Sequence, residues 1–289
     1  MLQRHYLIPM TAKTSTPKLP GEIFHVASHD LHLVHSPEDR LAGVLTLIQS
    51  AKTSVRMFFY MFGSDETGQE VLQALVDAAK RGVHVQLIID SFGSGDTSNE
   101  FFAPLVAAGG GYRCFSSRWG LGYFVRNHQK ILIADDAHAL VGGFNITDQY
   151  FGRKSDDSWE DLGIIISGPE VPHLAEYFDE LNALSENGRI AFLKMRSLIR
   201  NWRPGSGDVV WLLGGPTNRI SPWGLALKRA LETAKRLDIV SAYFSPHKWQ
   251  KETSPGTWVA VEPYWEEKRM RSLLRIGYQR PATAYLTVD

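Results

Sequence analysis

Strand-like and helix-like segments alternate between residues 38 and 184, and this order constrains the fold more than any other feature of the chain. Apolar runs of strand length are separated by segments whose apolar residues recur at helical spacing. Such an order buries a sheet beneath covering helices. We therefore expect an α/β fold in which helices sandwich a mixed β-sheet. The predicted strands are 54–62, 83–89, 130–134, 139–142 and 162–167, and the predicted helices are 38–52, 68–81, 100–108 and 171–184.

Composition narrows the class of protein. Lys and Arg number 31, as do Asp and Glu, so a strongly basic nucleic-acid-binding surface over the whole chain is excluded, although a local basic patch is not. Cys114 is the single cysteine, which excludes an intrachain disulfide framework and a cysteine-rich zinc site. No apolar run approaches the roughly 18 residues of a membrane-spanning helix. We therefore expect any membrane contact to be peripheral.

Breaks in the pattern predict four parts. Residues 1–37 are expected to form a flexible leader and a first strand, and residues 38–203 the main domain. Near residue 204 a Pro-Gly-Ser-Gly segment marks a boundary, beyond which residues 234–243 can be aligned with 51–60 at an offset of 183. Residues 204–246 are thus expected to begin a second repeat, the alternative being an unrelated helix–strand unit. Residues 247–289 follow neither period, which predicts a divergent, poorly packed tail, interpreted as a truncated or frame-shifted continuation.

The most specific pattern lies between residues 128 and 145 and reads H-x-K-x4-D-x6-G-G-x-N. Six fixed positions at average residue usage should match by chance on the order of once in a hundred million windows. The six positions are His128, Lys130, Asp135, Gly142, Gly143 and Asn145.

These residue types suit chemistry on a phosphate. His128 and Lys130 are two residues apart, so both side chains leave the same face of an extended segment. A neutral imidazole is a nucleophile, and an ammonium and the Asn145 amide can each donate to a phosphate oxygen. Paired glycines allow the backbone to approach an anion. Asp135 could orient a histidine or balance cationic charge, and the pattern does not separate these roles.

This pattern resembles the HKD motif of the phospholipase D superfamily, and Trp159-Glu-Asp161 is also similar to bacterial cardiolipin synthases and related phosphatidyltransferases. The resemblance implies a phospholipase D-like fold with one complete half and an incomplete second half. It implies an enzyme without metal or cofactor, in which His128 attacks phosphorus to form a phosphohistidine. Lys130, Asn145, Gly142 and Gly143 would hold the phosphate, Asp135 would belong to the catalytic motif, and a second histidine would serve as general acid and base.

The chain departs from that family because it contains no second H-x-K. The leading hypothesis is phosphatidyl transfer on a phosphatidylglycerol-like phospholipid, with the protein peripheral at the inner face of the cytoplasmic membrane. The missing motif predicts an impaired monomer, or a homodimer that completes the site. The alternatives are a homodimeric HKD nuclease, less favoured, and an inactive remnant that binds phosphate groups.

Three further features have two interpretations each. Asp161 is either an acid at the rim of the site or a structural partner of the chain. Tyr60 lies in an apolar run and is interpreted as a core residue rather than a substrate-stacking one. Residues 189–203 form a basic amphipathic pattern that suits an anionic bilayer or, alternatively, packs its apolar stripe on the protein.

Overall fold

The structure is a computed structural model that describes residues 17–115, 127–152, 158–185, 192–214 and 222–233. Contacts between Cα atoms divide the chain into two units, residues 1–211 and 212–289. The predicted tail, 247–289, and the first sixteen residues lie outside the described residues, as do residues 215–221 and 234–246 of the predicted second repeat. The four-part division therefore stays a prediction.

Eight strands of the first unit form one mixed sheet, which confirms the predicted class of fold. Their order is β1-β2-β8-β7-β6-β3-β4-β5, in which β3, β4 and β5 are parallel and every other pair is antiparallel. The strands are β1 (Glu22–Val26), β2 (His29–Val34), β3 (Ser54–Phe59), β4 (His84–Asp90), β5 (Gly111–Phe115), β6 (Lys130–Ala134), β7 (His138–Gly142) and β8 (Gly163–Ser167).

Helices cover both faces of this sheet. The helices α1 (Pro37–Ser50), α2 (Glu66–Lys80) and α3 (Ala103–Ala107) enclose the main core on one face. The helix α4 (Val171–Ser185) covers the other face, where Asp179 pairs with Arg56 of β3. The helix α5 (Phe192–Asn201) packs on α4, and α6 (Pro222–Thr233) belongs to the second unit.

Local chemistry explains where these elements begin and turn. Ser36 caps α1 by accepting a hydrogen bond from the backbone of Asp39 at 3.0 Å, and Pro37 opens the first turn. Asp135 and Asp136 are the central residues of the turn between β6 and β7, which is closed by a hydrogen bond from the Ala137 N–H to the Ala134 carbonyl oxygen at 3.0 Å. Their φ values of 55° and 53° are the left-handed pair of a type I′ turn. Asp residues tolerate that conformation better than most residues do.

Three segments differ from the sequence prediction. The single strand expected before residue 38 is a hairpin of two, β1 and β2, because β1 is an edge strand whose exposed residues give no alternation. The strand β5 was not predicted, and the helix expected over 100–108 is a 3-10 turn (Asn99–Phe102) followed by the short α3. In α5 the side chains of Met195, Leu198 and Ile199 are buried, so its apolar stripe packs on the protein.

Candidate active site

Sheet topology brings His128, Lys130 and Asn145 of the motif to one edge, where β3 and β4 end. The strands β3 and β4 are parallel and end together, whereas β6 is antiparallel to β3 and begins where β3 ends. Lys130 consequently pairs with Phe59, the last residue of β3. Because β7 runs back along β6, Gly142 and the residues after it return to the same edge.

His128 and Lys130 are in direct contact. Nζ of Lys130 lies 2.9 Å from Nδ1 and 3.2 Å from Nε2 of His128, and it donates to the His128 carbonyl oxygen at 2.8 Å. The His128 residue is exposed, whereas Lys130 is only 4% exposed. Burial lowers the pKa of Lys130 to about 8, against the opposing influence of Asp161 and Asp90. An accessible imidazole therefore lies beside a buried amine whose pKa is well below its usual value.

Asn145 completes the polar cluster with a side chain held at both ends. It is 2% exposed, its Oδ1 accepts from the backbone N–H of Met61 at 3.2 Å, and its Nδ2 donates to the Tyr150 hydroxyl at 2.9 Å. The Tyr150 ring stacks at 18° on that of Trp159. Because an amide nitrogen carries two hydrogens, Nδ2 has a second donor for a phosphate oxygen.

The two glycines make room for protein groups. A Cβ atom at Gly143 would lie 2.3 Å from Oδ1 of Asp161, and one at Gly142 would lie 2.9 Å from the Phe144 ring. Any larger residue at 143 would therefore displace the Asp161 carboxylate. Their predicted part in binding phosphate stays a prediction.

Asp161 lies within electrostatic range of Lys130. Burial raises the pKa of Asp161, and the backbone hydrogen bond from Leu162 together with the charges of Arg40 and Lys130 opposes that rise. The Leu162 N–H donates to Oδ1 at 2.7 Å. The fully buried Arg40 fixes the segment by donating from both terminal nitrogens to the Trp159 carbonyl oxygen at 3.1 Å. This placement favours the interpretation of Asp161 as a residue of the site.

Asp135 lies at the opposite end of β6, and the structure does not bring it to His128. Six residues lie between them, and the extended segment from residue 128 to residue 134 spans roughly 20 Å at about 3.3 Å per residue. Its carboxylate instead accepts hydrogen bonds from the backbone N–H groups of Lys52, Thr53 and Ser54. The prediction that Asp135 orients the histidine or balances charge at the site is therefore wrong, because the residue lies too far away. Asp135 instead stabilises the start of β3 through these hydrogen bonds.

Two anchors of the H-x-K segment were not found from the sequence. Asp90, 2% exposed, accepts from the backbone N–H of Asn127 at 3.2 Å, and Tyr177 of α4 donates its hydroxyl to Gln129 Oε1 at 2.7 Å. Burial raises the pKa of Tyr177 to about 12, which keeps that hydroxyl a donor. An Asp that ends a buried strand beside the motif is the signal that could have indicated the first anchor.

Within the described ranges, no group of three His, Cys, Asp or Glu side chains is arranged to hold a metal ion. No helix among those residues is both long enough and apolar enough to cross a membrane.

Comparison with known proteins gives consistent findings. The family model described as "Cardiolipin synthase, PLD-like domain" matches residues 44–182. A cardiolipin synthase of Clostridium perfringens is 36% identical over 155 residues, which are 52% of this chain and 32% of that protein. Cardiolipin synthase A of Pseudomonas fluorescens is 29% identical over 238 residues, 80% of this chain and 48% of that protein. The chain thus spans about a third to a half of the length of these relatives.

Among solved structures, phosphatidylserine synthase of Haemophilus influenzae has a similar fold. The TM-score is 0.62 at 15% identity, over 82% of this chain and 60% of that one. At this identity the likeness concerns the fold alone.

Proposed function

Because the chain belongs to the phospholipase D superfamily, we propose that it catalyses phosphatidyl transfer on phospholipids by attack of His128 on the phosphodiester. The observation that carries the proposal is the pairing of an exposed imidazole with a buried lysine amine, Nδ1 to Nζ 2.9 Å. Nζ lies within 3.2 Å of both ring nitrogens, and because an ammonium has no acceptor, this contact favours the neutral ring, in which one nitrogen keeps a lone pair. A neutral imidazole is the nucleophilic form of histidine.

The proposed reaction has two displacements. In the first, a bond forms between an imidazole nitrogen of His128 and phosphorus, and the bond from phosphorus to the first alcohol breaks. The departing alkoxide takes a proton from a general acid. In the second, the conjugate base removes a proton from the acceptor alcohol, which attacks phosphorus and releases His128. Lys130 and the second hydrogen of Asn145 Nδ2 would bear the charge on the phosphate oxygens, and Asp161 would act as an accessory through its charge near Lys130.

A phospholipid substrate is supported by the cardiolipin synthase relatives and by the rim of the site. Phe92 is 56% exposed and donates its backbone N–H to the same Asp90 carboxylate that holds Asn127. Leu162, the residue after Asp161, is also exposed, at 48%. We propose that these apolar side chains contact a bilayer at the inner face of the membrane, with a phosphatidylglycerol-like lipid as substrate. The buried stripe of α5 is not available for that contact.

The general acid has no candidate in a second H-x-K of this sequence. We propose that two copies of the chain pair so that the His128 of one serves as nucleophile and that of the other as acid and base. Such a pair would have a two-fold, isologous interface. Activity per molecule should then rise with protein concentration in step with dimer formation, as measured by sedimentation in parallel.

The decisive experiment measures turnover of phosphatidylglycerol vesicles and traps the covalent intermediate. The preparation should carry a phosphatidyl group bound through phosphorus to His128, and His128→Ala should abolish both turnover and labelling. His138→Ala is the matched control, because His138 bonds to Ser167 far from the cluster and should change neither. Turnover of single-stranded DNA in place of lipid would indicate the nuclease, and phosphate binding without turnover at any concentration would indicate the inactive remnant. Either result would overturn the proposal.

A further inference from the structure

The Lys130 amine is buried. Among the residues that the structure describes, no carboxylate lies within 4.0 Å of its Nζ. Asp161 and Asp90 act on it only at longer range. Its hydrogen bonds are to the carbonyl oxygen and ring nitrogens of His128. Burial of an ammonium without compensating charge is costly, so another group must contribute to its stabilisation.

That group is the ring of Tyr60. Nζ of Lys130 lies 5.2 Å from the centroid of the Tyr60 ring, within the distance of about 6 Å at which a cation is attracted to an aromatic face. The same ring lies 4.4 Å from that of His128, centroid to centroid, at an angle of 50°. Tyr60 is 8% exposed and Lys130 is 4% exposed, so water screens the contact between them only weakly. One aromatic ring therefore touches both members of the H-x-K pair.

Backbone packing holds Tyr60 in place. It directly follows β3, whose last residue, Phe59, pairs with Lys130. Its carbonyl oxygen accepts from the Ser94 hydroxyl at 3.3 Å. A Cβ atom at Gly93 would lie 2.1 Å from that oxygen, so the loop after β4 approaches the Tyr60 backbone as only glycine allows. The position of the ring is thus set by the sheet and by this loop.

We infer that Tyr60 is a positioning residue of the site, a role that rests on the proposed function, and that its ring stabilises the Lys130 ammonium in place of a carboxylate and orients the His128 imidazole. The chemistry favours a ring over a carboxylate here. A carboxylate in direct contact would neutralise the charge that a phosphate oxygen needs, whereas an aromatic face stabilises the cation and leaves its charge in place. The sequence interpretation of Tyr60 as a core residue describes its burial and misses this contact.

The experiment follows the titration of Lys130 by NMR of the full chain labelled at the lysine Cε, with Lys130→Met to assign the signal. Tyr60→Phe keeps the aromatic face and should leave the midpoint near that of the wild type. Tyr60→Leu keeps an apolar side chain without the face and should lower the midpoint by about one pH unit, the shift that corresponds to a desolvated cation–π contact. Affinity for inorganic phosphate at pH 8 should fall several-fold in Tyr60→Leu only.

Phe58→Leu is the matched control for lost packing. Phe58 is fully buried, lies two residues before Tyr60 and packs its ring against that of Phe115, with centroids 6.0 Å apart. This control should lower the melting temperature and leave the Lys130 midpoint unchanged. If Tyr60→Leu is too unstable to titrate, Tyr60→Met replaces it. The role of Tyr60 would be overturned if the Lys130 midpoint were unchanged in Tyr60→Leu, or in Tyr60→Met where that variant replaces it. An equal fall of the Lys130 midpoint in Phe58→Leu would also overturn it, whether or not the protein turns over lipid. A loss of lipid turnover alone would bear only on the proposed function.

Discussion

Replacing Asp135 should cost folding stability and leave the chemistry of the folded protein intact. The Asp135 carboxylate accepts from three consecutive backbone N–H groups at 2.7 to 3.0 Å and from the Thr53 hydroxyl at 2.8 Å. Burial by itself would raise the pKa of Asp135, but these hydrogen bonds outweigh it and the pKa is lowered. The ionised carboxylate is therefore bound more strongly in the folded state than its protonated form.

The magnitude follows from the type of bond that is lost. A hydrogen bond to a charged group contributes about 1.5–3 kcal/mol and a neutral one about 0.5–1.5 kcal/mol. Lys52 and Thr53 are exposed, so water can partly replace the carboxylate, and the bonds will not be additive. We expect Asp135→Asn to lower the free energy of unfolding by about 2 kcal/mol and Asp135→Ala by about 3 kcal/mol. At a denaturant slope of about 2 kcal/mol per molar urea, the midpoint of Asp135→Asn should fall by about 1 M.

Urea unfolding at several pH values gives the assay. Because the folded-state pKa of Asp135 is lowered, its stabilisation is complete above the unfolded-state pKa of about 4 and is lost as the pH falls through the lower folded-state value. The difference between the wild type and Asp135→Asn should therefore be largest at neutral pH and shrink in acid.

The control is Asp136→Asn, in the same left-handed turn, where a half-exposed carboxylate pairs with Arg56 and the expected cost is below about 1 kcal/mol. A hundredfold loss of kcat in Asp135→Asn, at an unchanged urea midpoint, would refute the assignment of this residue to folding.

Three other predictions concern the site itself. Gly143→Ala places a methyl group 2.3 Å from the Asp161 carboxylate. The free energy of unfolding, measured by urea titration, should therefore fall by about 1–3 kcal/mol, and kcat in a vesicle assay should fall as well. If both values were unchanged, the Asp161 carboxylate would be free to move aside. The kcat of the wild type should decline above pH 8, because Lys130, with its pKa lowered to about 8, loses its charge there. The folded protein binds fewer protons than the unfolded chain between that pH and about 10.4, so stability should rise across the same interval, and Lys130→Met should remove the rise. Phe92→Ser should weaken binding to phosphatidylglycerol vesicles about tenfold in a flotation assay. The control is Phe24→Ser on the edge strand β1, where Phe24 is 45% exposed and the substitution should leave binding unchanged. Equal losses of binding in the two variants would contradict the proposed membrane contact.

The elements predicted from the sequence are those with a clear period. The strands β3, β4 and β6 are buried on both faces and read as short apolar runs, and α2 has a strong apolar stripe, so each was found within a few residues. The hairpin strand β1 and the strand β5 lie at the two edges of the sheet, where exposure removes the pattern. Edge strands therefore carry little local information about their own existence.

For the site, the sequence predicted a contact between residues only where the residues are close in the chain and the strand period places them together. His128 and Lys130 share a face because a strand has a period of two, and the structure brings them into contact. The proximity of Asp161 depends on β7 pairing with β8, a register in which Gly142 lies opposite Gly163, and no local pattern contains that pairing. The contact of Tyr60 with Lys130 depends in the same way on the pairing of β3 with β6.

That pairing links the two ends of the motif. At one end of β6, Asp135 holds the backbone that begins β3, and at the other end Lys130 lies opposite Phe59, beside Tyr60. A slip of one residue between these strands would move the Lys130 side chain, together with that of His128, to the opposite face of the sheet, away from the ring of Tyr60. The five-residue step from Lys130 to Asp135 therefore sets a register rather than a catalytic distance. Since the hairpin with β7 holds the same register independently, loss of the Asp135 carboxylate should appear as lost stability while the folded fraction keeps its geometry.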